Sequence, residues 1–251
     1  HRVANPGRLA VAMADRHFGV GSDGLVLILP SRRADCRMRM FNADGSEAEM
    51  CGNAIRCVAK FLYERRRLRQ TAITVETACG IKPIRLAVRG GRMTAATVDM
   101  GAPELEPARI PVAAPSNRVR LGGRRWICVS MGNPHAVTFV TDVKTAPVQE
   151  KGPVFERAAL FPRRCNIEFA EIVDRRRIRM RVWERGAGET LACGTGACAT
   201  AVAAVLNGLA DRTVELELLG GRLQIEWRES DGRVRMTGGA EFVFDGVWLK
   251  R

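Results

Sequence analysis

Two kinds of hydrophobic spacing alternate along this 251-residue chain. Short runs in which apolar and polar residues take turns, such as Thr74-Val75-Glu76-Thr77 and Val214-Glu215-Leu216-Glu217, predict half-buried strands. Two longer runs have the helical period instead. Residues 54–66 carry Ile55, Val58, Ala59 and Leu62 on one face, and residues 197–209 are apolar nearly all round, which predicts a buried helix. Glycine pairs at Gly90-Gly91, Gly122-Gly123, Gly220-Gly221 and Gly238-Gly239 mark turns between strands. The pattern predicts an α/β (α+β) protein of two similar units, each a barrel-like, mostly antiparallel sheet around a central helix.

The two helical runs sit in matching contexts because the chain repeats itself. Arg37-Met38-Arg39-Met40-Phe41-Asn42 aligns with Arg179-Met180-Arg181-Val182-Trp183-Glu184, and without a gap Glu47 falls on Glu189, Cys51 on Cys193 and Gly52 on Gly194. Upstream, residues 18–29 resemble residues 161–173 more loosely, each as a loop followed by an apolar strand. Downstream, Thr74 to Thr77 align with Val214 to Glu217, and Val98 to Gly101 with Val234 to Thr237. These equivalences set the halves at residues 1–112 and 113–251, with the last residues able to return to the first half. Residues 126–140 supply a strand, a Gly-Asn loop and a strand in the second half. Nothing comparable precedes Phe18, so a strand-loop-strand is expected ahead of His1.

Composition narrows the function classes. No apolar run reaches the ~20 residues a membrane helix needs, and the first residues lack a secretory signal's apolar core. The formal charge of +13 comes from arginine, in short clusters without interleaved aromatics, which reads as a solvated surface and not a nucleic-acid site. Eight cysteines in a chain of this length, with no Cys-x-x-Cys pair, suit a reducing cytoplasmic setting. Most should be small buried hydrophobes. The histidines, His1, His17 and His135, have no metal-ligand spacing, and none of the five lysines lies in a recognisable pyridoxal loop. No cofactor and no metal are expected.

Cys51 and Cys193 stand apart because the repeat writes one position twice. A cysteine at a helix start meets unpaired N–H groups and the positive end of the dipole, which stabilise its thiolate and make it usable as a base. The glycine beside each lets the backbone approach a ligand, and the same N–H groups can hold a carboxylate. Two such starts facing one another would put a thiolate on one side of a substrate carbon and a thiol on the other. That is what inversion of a stereocentre requires: a proton removed from one face and another delivered to the opposite face. Cys57 and Cys198, farther into their helices, read as packing residues.

Three motifs then carry a resemblance. Phe41-Asn42-Ala43-Asp44-Gly45-Ser46-Glu47 leading to Met50-Cys51-Gly52-Asn53, Ser130-Met131-Gly132-Asn133-Pro134-His135, and Glu184-Arg185-Gly186-Ala187-Gly188-Glu189-Thr190 leading to Ala192-Cys193-Gly194-Thr195-Gly196 resemble the diaminopimelate epimerases. The resemblance implies interconversion of LL- and meso-diaminopimelate, in lysine and peptidoglycan-precursor synthesis, without pyridoxal phosphate or metal. It implies two similar domains with the site in the cleft, and a homodimer. It makes Cys51 and Cys193 the acid-base pair, and gives Gly52, Asn53, Gly194 and Thr195 the reacting carboxylate. Asn42, Asn133, Asn166, Glu184 and Arg185 would line the cleft, with Arg185 gripping the distal carboxylate. His135 and Glu184 would tune the thiols. The family usually opens with a strand and a His-Gly-Ala-Gly-Asn-Asp-Phe loop, which is not found ahead of Phe18.

Two rivals remain at this point. A proline or hydroxyproline racemase on the same scaffold usually carries His after Cys-Gly, where this chain has Asn53, and would not need Arg185. An arginine-rich nucleic-acid-binding module would show salt-sensitive binding and no epimerisation.

Overall fold

The computed structural model describes residues 3–249. Its contacts divide the chain into two units. The first holds the chain up to Ala48, Asn53–Thr97 and the segment from Gly238 on; the second holds Glu49–Gly52 and Val98–Thr237.

In the first unit α1 (Pro6–Ala14) is followed by β1 (Gly24–Leu29), β2 (Cys36–Asn42) and β3 (Glu47–Ala48). Then come α2 (Gly52–Glu64), β4 (Ala72–Thr77), β5 (Gly80–Arg89) and β6 (Arg92–Gly101), whose second half belongs to the other unit. The strand order is β1-β2-β4-β5-β6. α1 starts on a capped Asn-Pro: the Asn5 side chain accepts from the Arg8 N–H at 3.0 Å, and Pro6 occupies a first-turn position where its missing N–H costs nothing. α2 buries Ile55, Val58, Ala59 and Leu62, as its period predicts, together with Arg56 and Lys60. Those two cations are satisfied locally. Arg56 donates to the Gly239 carbonyl and the Asn53 side chain, and Lys60 reaches Glu64 at 3.2 Å and the Met93 carbonyl at 3.1 Å.

The second unit runs β7 (Arg118–Leu121), β8 (Arg124–Ser130), β9 (Pro134–Val140), α3 (Val148–Glu156), β10 (Asn166–Asp174) and β11 (Arg177–Glu184). It continues with β12 (Gly188–Thr190), α4 (Gly194–Leu206), β13 (Thr213–Leu218), β14 (Gly221–Trp227) and β15 (Val234–Gly238). From β15 the order is β14-β13-β11-β10-β9-β8-β7. α4 touches β8, β9, β10, β11, β13 and β14, and every residue from Gly194 to Ala204 is buried. A helix apolar all round thus lies inside a sheet, with alanines keeping it narrow enough to be enclosed. On one flank, Trp126 packs edge-on against Phe155 and Phe169, with ring centroids 5.4 and 5.6 Å apart. Pairs of this kind add about 1 kcal/mol each to their area burial. Ile110 and Val112 belong to the same core.

The repeat is visible in the registers. Leu25 pairs with Phe41 as β1 meets β2, and Ile167 pairs with Trp183 as β10 meets β11. Phe41–Glu47 and Trp183–Glu189 are matching cross-strand pairs. An ion pair recurs with them: Arg39 holds Glu47 at 2.8 Å and Arg181 holds Glu189 at 2.7 Å. One alignment needs correction. The buried positions are Ile73, Val75 and Thr77 in β4 and Val214, Leu216 and Leu218 in β13, so Thr74 is not the partner of Val214. The alternating residues match one step later, because a one-residue slip would exchange the core and solvent faces. Gly90-Gly91 and Gly122-Gly123 do form two-residue hairpins, all four at positive φ. Gly238 instead closes β15, and Gly239 follows outside any regular element.

Candidate active site

Both singled-out cysteines directly precede helices of thirteen residues, Cys51 before α2 and Cys193 at the N-cap of α4. Cys193 is buried and Cys51 is half-buried. The glycines that follow them do more than leave room for a ligand. A Cβ on Gly52 would lie 3.3 Å from the Gly194 Cα and 2.9 Å from the Met236 methyl, and a Cβ on Gly194 would lie 3.2 Å from the Gly52 Cα and 3.0 Å from the Met236 sulfur. The two helix starts therefore touch backbone to backbone, within the second unit. The segment Glu49–Gly52 belongs to the same unit as Cys193, whereas the rest of α2 belongs to the first unit.

Around Cys193 a hydrogen-bonded chain is built from several strands. Thr195 Oγ1 stands 3.5 Å from the Cys193 sulfur and accepts from Asn133 Nδ2 at 3.2 Å. Asn133 Oδ1 accepts from His135 Nε2 at 3.1 Å, and His135 Nδ1 meets Glu168 Oε1 at 2.6 Å. β9 and β10 run parallel in register, Asn166 beside His135 and Glu168 beside Val137, which brings His135 and Glu168 together in the core. Asn166 ties this loop to the next: its amide donates to the Pro134 carbonyl at 2.7 Å and its oxygen accepts from the Arg185 N–H at 2.8 Å. Arg185 also faces Glu49 at 4.0 Å, in the segment leading to Cys51. Glu184 accepts from the Thr190 hydroxyl.

The structure thus brings Cys193, Thr195, Asn133, His135, Asn166, Glu184 and Arg185 into one neighbourhood, with Gly194 and Gly52 in contact. Asn42 and Asn53 are in the first unit and bond locally, Asn42 to Ser46 and Asn53 to Arg56. Glu168 escaped sequence reasoning. A carboxylate inside a core has no sequence signature without knowledge of its partner.

Burial pushes the Cys193 thiol well above its ordinary value, and the carboxyls of Glu184 and Glu168 add to the effect; the Thr195 hydroxyl and the Gly196 N–H oppose it. Burial also pushes Glu168 up, against the pull of His135. Burial raises Cys36 to about 11 and Cys128 to about 12, pushes Cys165 up as well, and leaves all three as inert packing residues. Among the described residues no three His, Cys, Asp or Glu side chains gather as a metal-ligand set, and His1 lies outside them. A groove of about 760 Å³ lined by Arg118, Arg120, Arg124 and Arg125 flanks β7–β9 and contains none of the candidate residues.

The fold is that of the two-domain racemases and epimerases. It matches a probable proline racemase from Agrobacterium radiobacter (TM-score 0.72, 17% identity, 97% of this chain and 81% of that one). It also matches a hydroxyproline epimerase from Agrobacterium vitis (TM-score 0.70, 16% identity, 95% and 78%). At the sequence level the profile of diaminopimelate epimerase matches residues 2–106 and 127–243. Curated diaminopimelate epimerases are far more similar than the solved structures. That of Desulfovibrio desulfuricans is 56% identical over 260 aligned positions (98% of this chain, 91% of the relative), and that of Acetivibrio thermocellus is 54% identical over 251 (97% and 90%). The chain belongs to the diaminopimelate epimerase family, a family of isomerases acting on a small molecule.

Proposed function

We propose that this protein interconverts LL- and meso-diaminopimelate by two-base proton transfer between Cys51 and Cys193. The observation that carries the reading is the contact of Gly52 with Gly194, which sets two repeat-equivalent cysteines at adjoining helix starts within one packed unit. The α-carboxylate sits on the N–H groups of those starts, at Gly52, Asn53, Gly194 and Thr195. There the dipoles and donors stabilise the charge that builds as the α-proton leaves. One thiolate takes that proton while the other cysteine, still a thiol, delivers its own to the opposite face. Cys193, held protonated by burial, is the donor when Cys51 is the base. The substrate's own ammonium supplies positive charge beside Glu184, which favours the Cys193 thiolate on the return direction. No step needs pyridoxal phosphate or metal.

Asn42, Asn133, Asn166, Glu184 and Arg185 line the substrate, with the Arg185 guanidinium on the distal carboxylate. Asn166 spends most of its amide on Pro134 and Arg185, so its main contribution is to hold these two in register. His135 sets the protonation of Cys193 through Asn133 and Thr195. The halves of the repeat, 1–112 and 113–251, each supply one thiol, and the enzyme works in the cytoplasm as a homodimer.

The test is chiral chromatography of LL- and meso-diaminopimelate incubated with the purified protein without added cofactor, with L-proline and trans-4-hydroxy-L-proline in parallel. Conversion of diaminopimelate toward one equilibrium mixture from either side is expected, with the imino acids unchanged. Turnover of the imino acids alone would favour the racemase reading, and turnover of neither would reject both.

A further inference from the structure

We propose that Glu168 is a positioning residue for Cys193: sharing a single proton with His135, it anchors a line of donors that runs through Asn133 and Thr195 to the sulfur. The proposal rests on Cys193 being one of the two acid-base thiols.

Each link fixes the direction of the next. Asn133 Oδ1 can only accept, so the hydrogen between it and His135 belongs to Nε2. The other end of the same amide donates to Thr195 Oγ1, which keeps the threonine's own hydrogen available to the Cys193 sulfur whenever that sulfur is a thiolate. With Nε2 protonated, the 2.6 Å gap between Nδ1 and Glu168 Oε1 holds one proton, from either partner. Glu168 Oε2 decides between them. It is fully buried and makes no hydrogen bond of its own; His135 and the Ala136 N–H favour the charged form of this carboxyl, but burial outweighs them. A carboxylate would leave half of its charge there unsolvated, whereas a protonated carboxyl donating from Oε1 leaves only a carbonyl oxygen. The pair is therefore neutral, with Glu168 donating and His135 in its Nε2–H tautomer.

Neutrality matters because of what lies beside Glu168. A Cβ on Gly196 would sit 2.9 Å from Glu168 Oε1 and 3.3 Å from the Cys193 sulfur, so only the glycine separates carboxyl and thiol. A bare carboxylate at that range would oppose formation of the thiolate, while the neutral pair directs a donor toward it. With Glu168 neutral, Glu184 is the other carboxyl that acts on the sulfur.

The experiment compares Glu168→Gln, Glu168→Leu and Thr195→Val, with kcat and KM for both epimers, Tm, and the pH dependence of iodoacetamide labelling at Cys193 read by peptide mass spectrometry. Glutamine can donate its amide hydrogen to Nδ1 and should keep kcat within about threefold. Leucine removes the donor, and should lower kcat about tenfold or more at nearly unchanged KM. Leucine and Thr195→Val should both move Cys193 labelling to higher pH, and Gln should not. If Glu168→Leu does not fold, Thr195→Val against Glu168→Gln carries the same contrast. Parental labelling and kcat in folded Glu168→Leu, parental labelling in Thr195→Val, or a Gln variant as impaired as Leu, would each overturn the proposal. A Cys193→Ala variant that still epimerised would instead sink the two-thiol reading; the labelling readout does not depend on turnover.

Discussion

Replacing Gly194 by alanine tests the contact on which the paired helix starts depend. The new methyl would meet the Gly52 Cα at 3.2 Å and the Met236 sulfur at 3.0 Å. Carbon atoms at rest keep about 3.5–4.0 Å apart, so something must move by several tenths of an ångström. Met236 can rotate away. The Gly52 backbone cannot, because it opens α2 and follows Cys51 directly. Overpacking of this kind costs about 1–3 kcal/mol, which for a chain of this size lowers Tm by roughly 2–12 °C. The separation of the two thiols changes by a similar few tenths of an ångström, and a loss of kcat on the order of tenfold follows, since a 1 Å misplacement costs about a hundredfold. Calorimetry and initial rates on Gly194→Ala, Gly52→Ala and the double variant give the answer. The double variant should depart from additivity, because both methyls enter one gap. Gly239→Ala is the control: its Cβ would meet only the Thr94 carbonyl at 3.7 Å, and neither Tm nor kcat should change. If Gly194→Ala keeps parental Tm and kcat, the helix starts are not pressed together and the reasoning fails.

Three further outcomes follow from the geometry. Cys36 and Cys128 hold their protons to about pH 11 and 12 when folded, against an unfolded value of 9.0. Above pH 9 the unfolded chain binds fewer protons, so stability present below that pH is lost as pH rises, and Tm should fall steadily between pH 9 and 11; a flat Tm there would contradict the burial of these thiols. Arg185→Met should raise KM for diaminopimelate by about ten- to a hundredfold, the worth of a charge-assisted hydrogen-bond pair, with kcat less affected; an unchanged KM would remove Arg185 from the distal carboxylate. Arg181→Met takes the cation from Glu189, which keeps the Gln149 amide, and removes one donor each from the carbonyls of Val143, Lys144 and Ala146. It should lower stability by about 2–4 kcal/mol in urea unfolding, and a loss under 1 kcal/mol would show the pair to be incidental.

Much of this was legible in the residues. The helical periods of α2 and α4, the equivalence of Cys51 and Cys193 and the recurring arginine–glutamate pair all lie in local patterns that the repeat amplifies. α1 and α3 were not read. α1 rests on a single Asn-Pro start, and α3 contains Pro153, which breaks the helical signal although the helix continues past it. The β4 and β13 alignment slipped by one because similar polar residues occur on both faces, and only the pairing shows which face is buried. The role of the glycines was read as room for a ligand, whereas their contact with each other depends on residues far apart in the chain. Glu168 needed His135 beside it to be noticed at all, and that neighbour comes from parallel pairing of β9 with β10.

The central claim is that Cys51 and Cys193 serve opposite faces of one carbon, and solvent isotope exchange reads it directly. In deuterium oxide the parent should place deuterium at the α-carbon of newly formed epimer from both LL- and meso-diaminopimelate. Cys51→Ala and Cys193→Ala should each abolish epimerisation, because a single base cannot serve both faces. Each should also keep exchange, if any, for one epimer only, and the two variants should differ in which. Epimerisation surviving in either variant, or exchange of the same epimer in both, would contradict the two-thiol account.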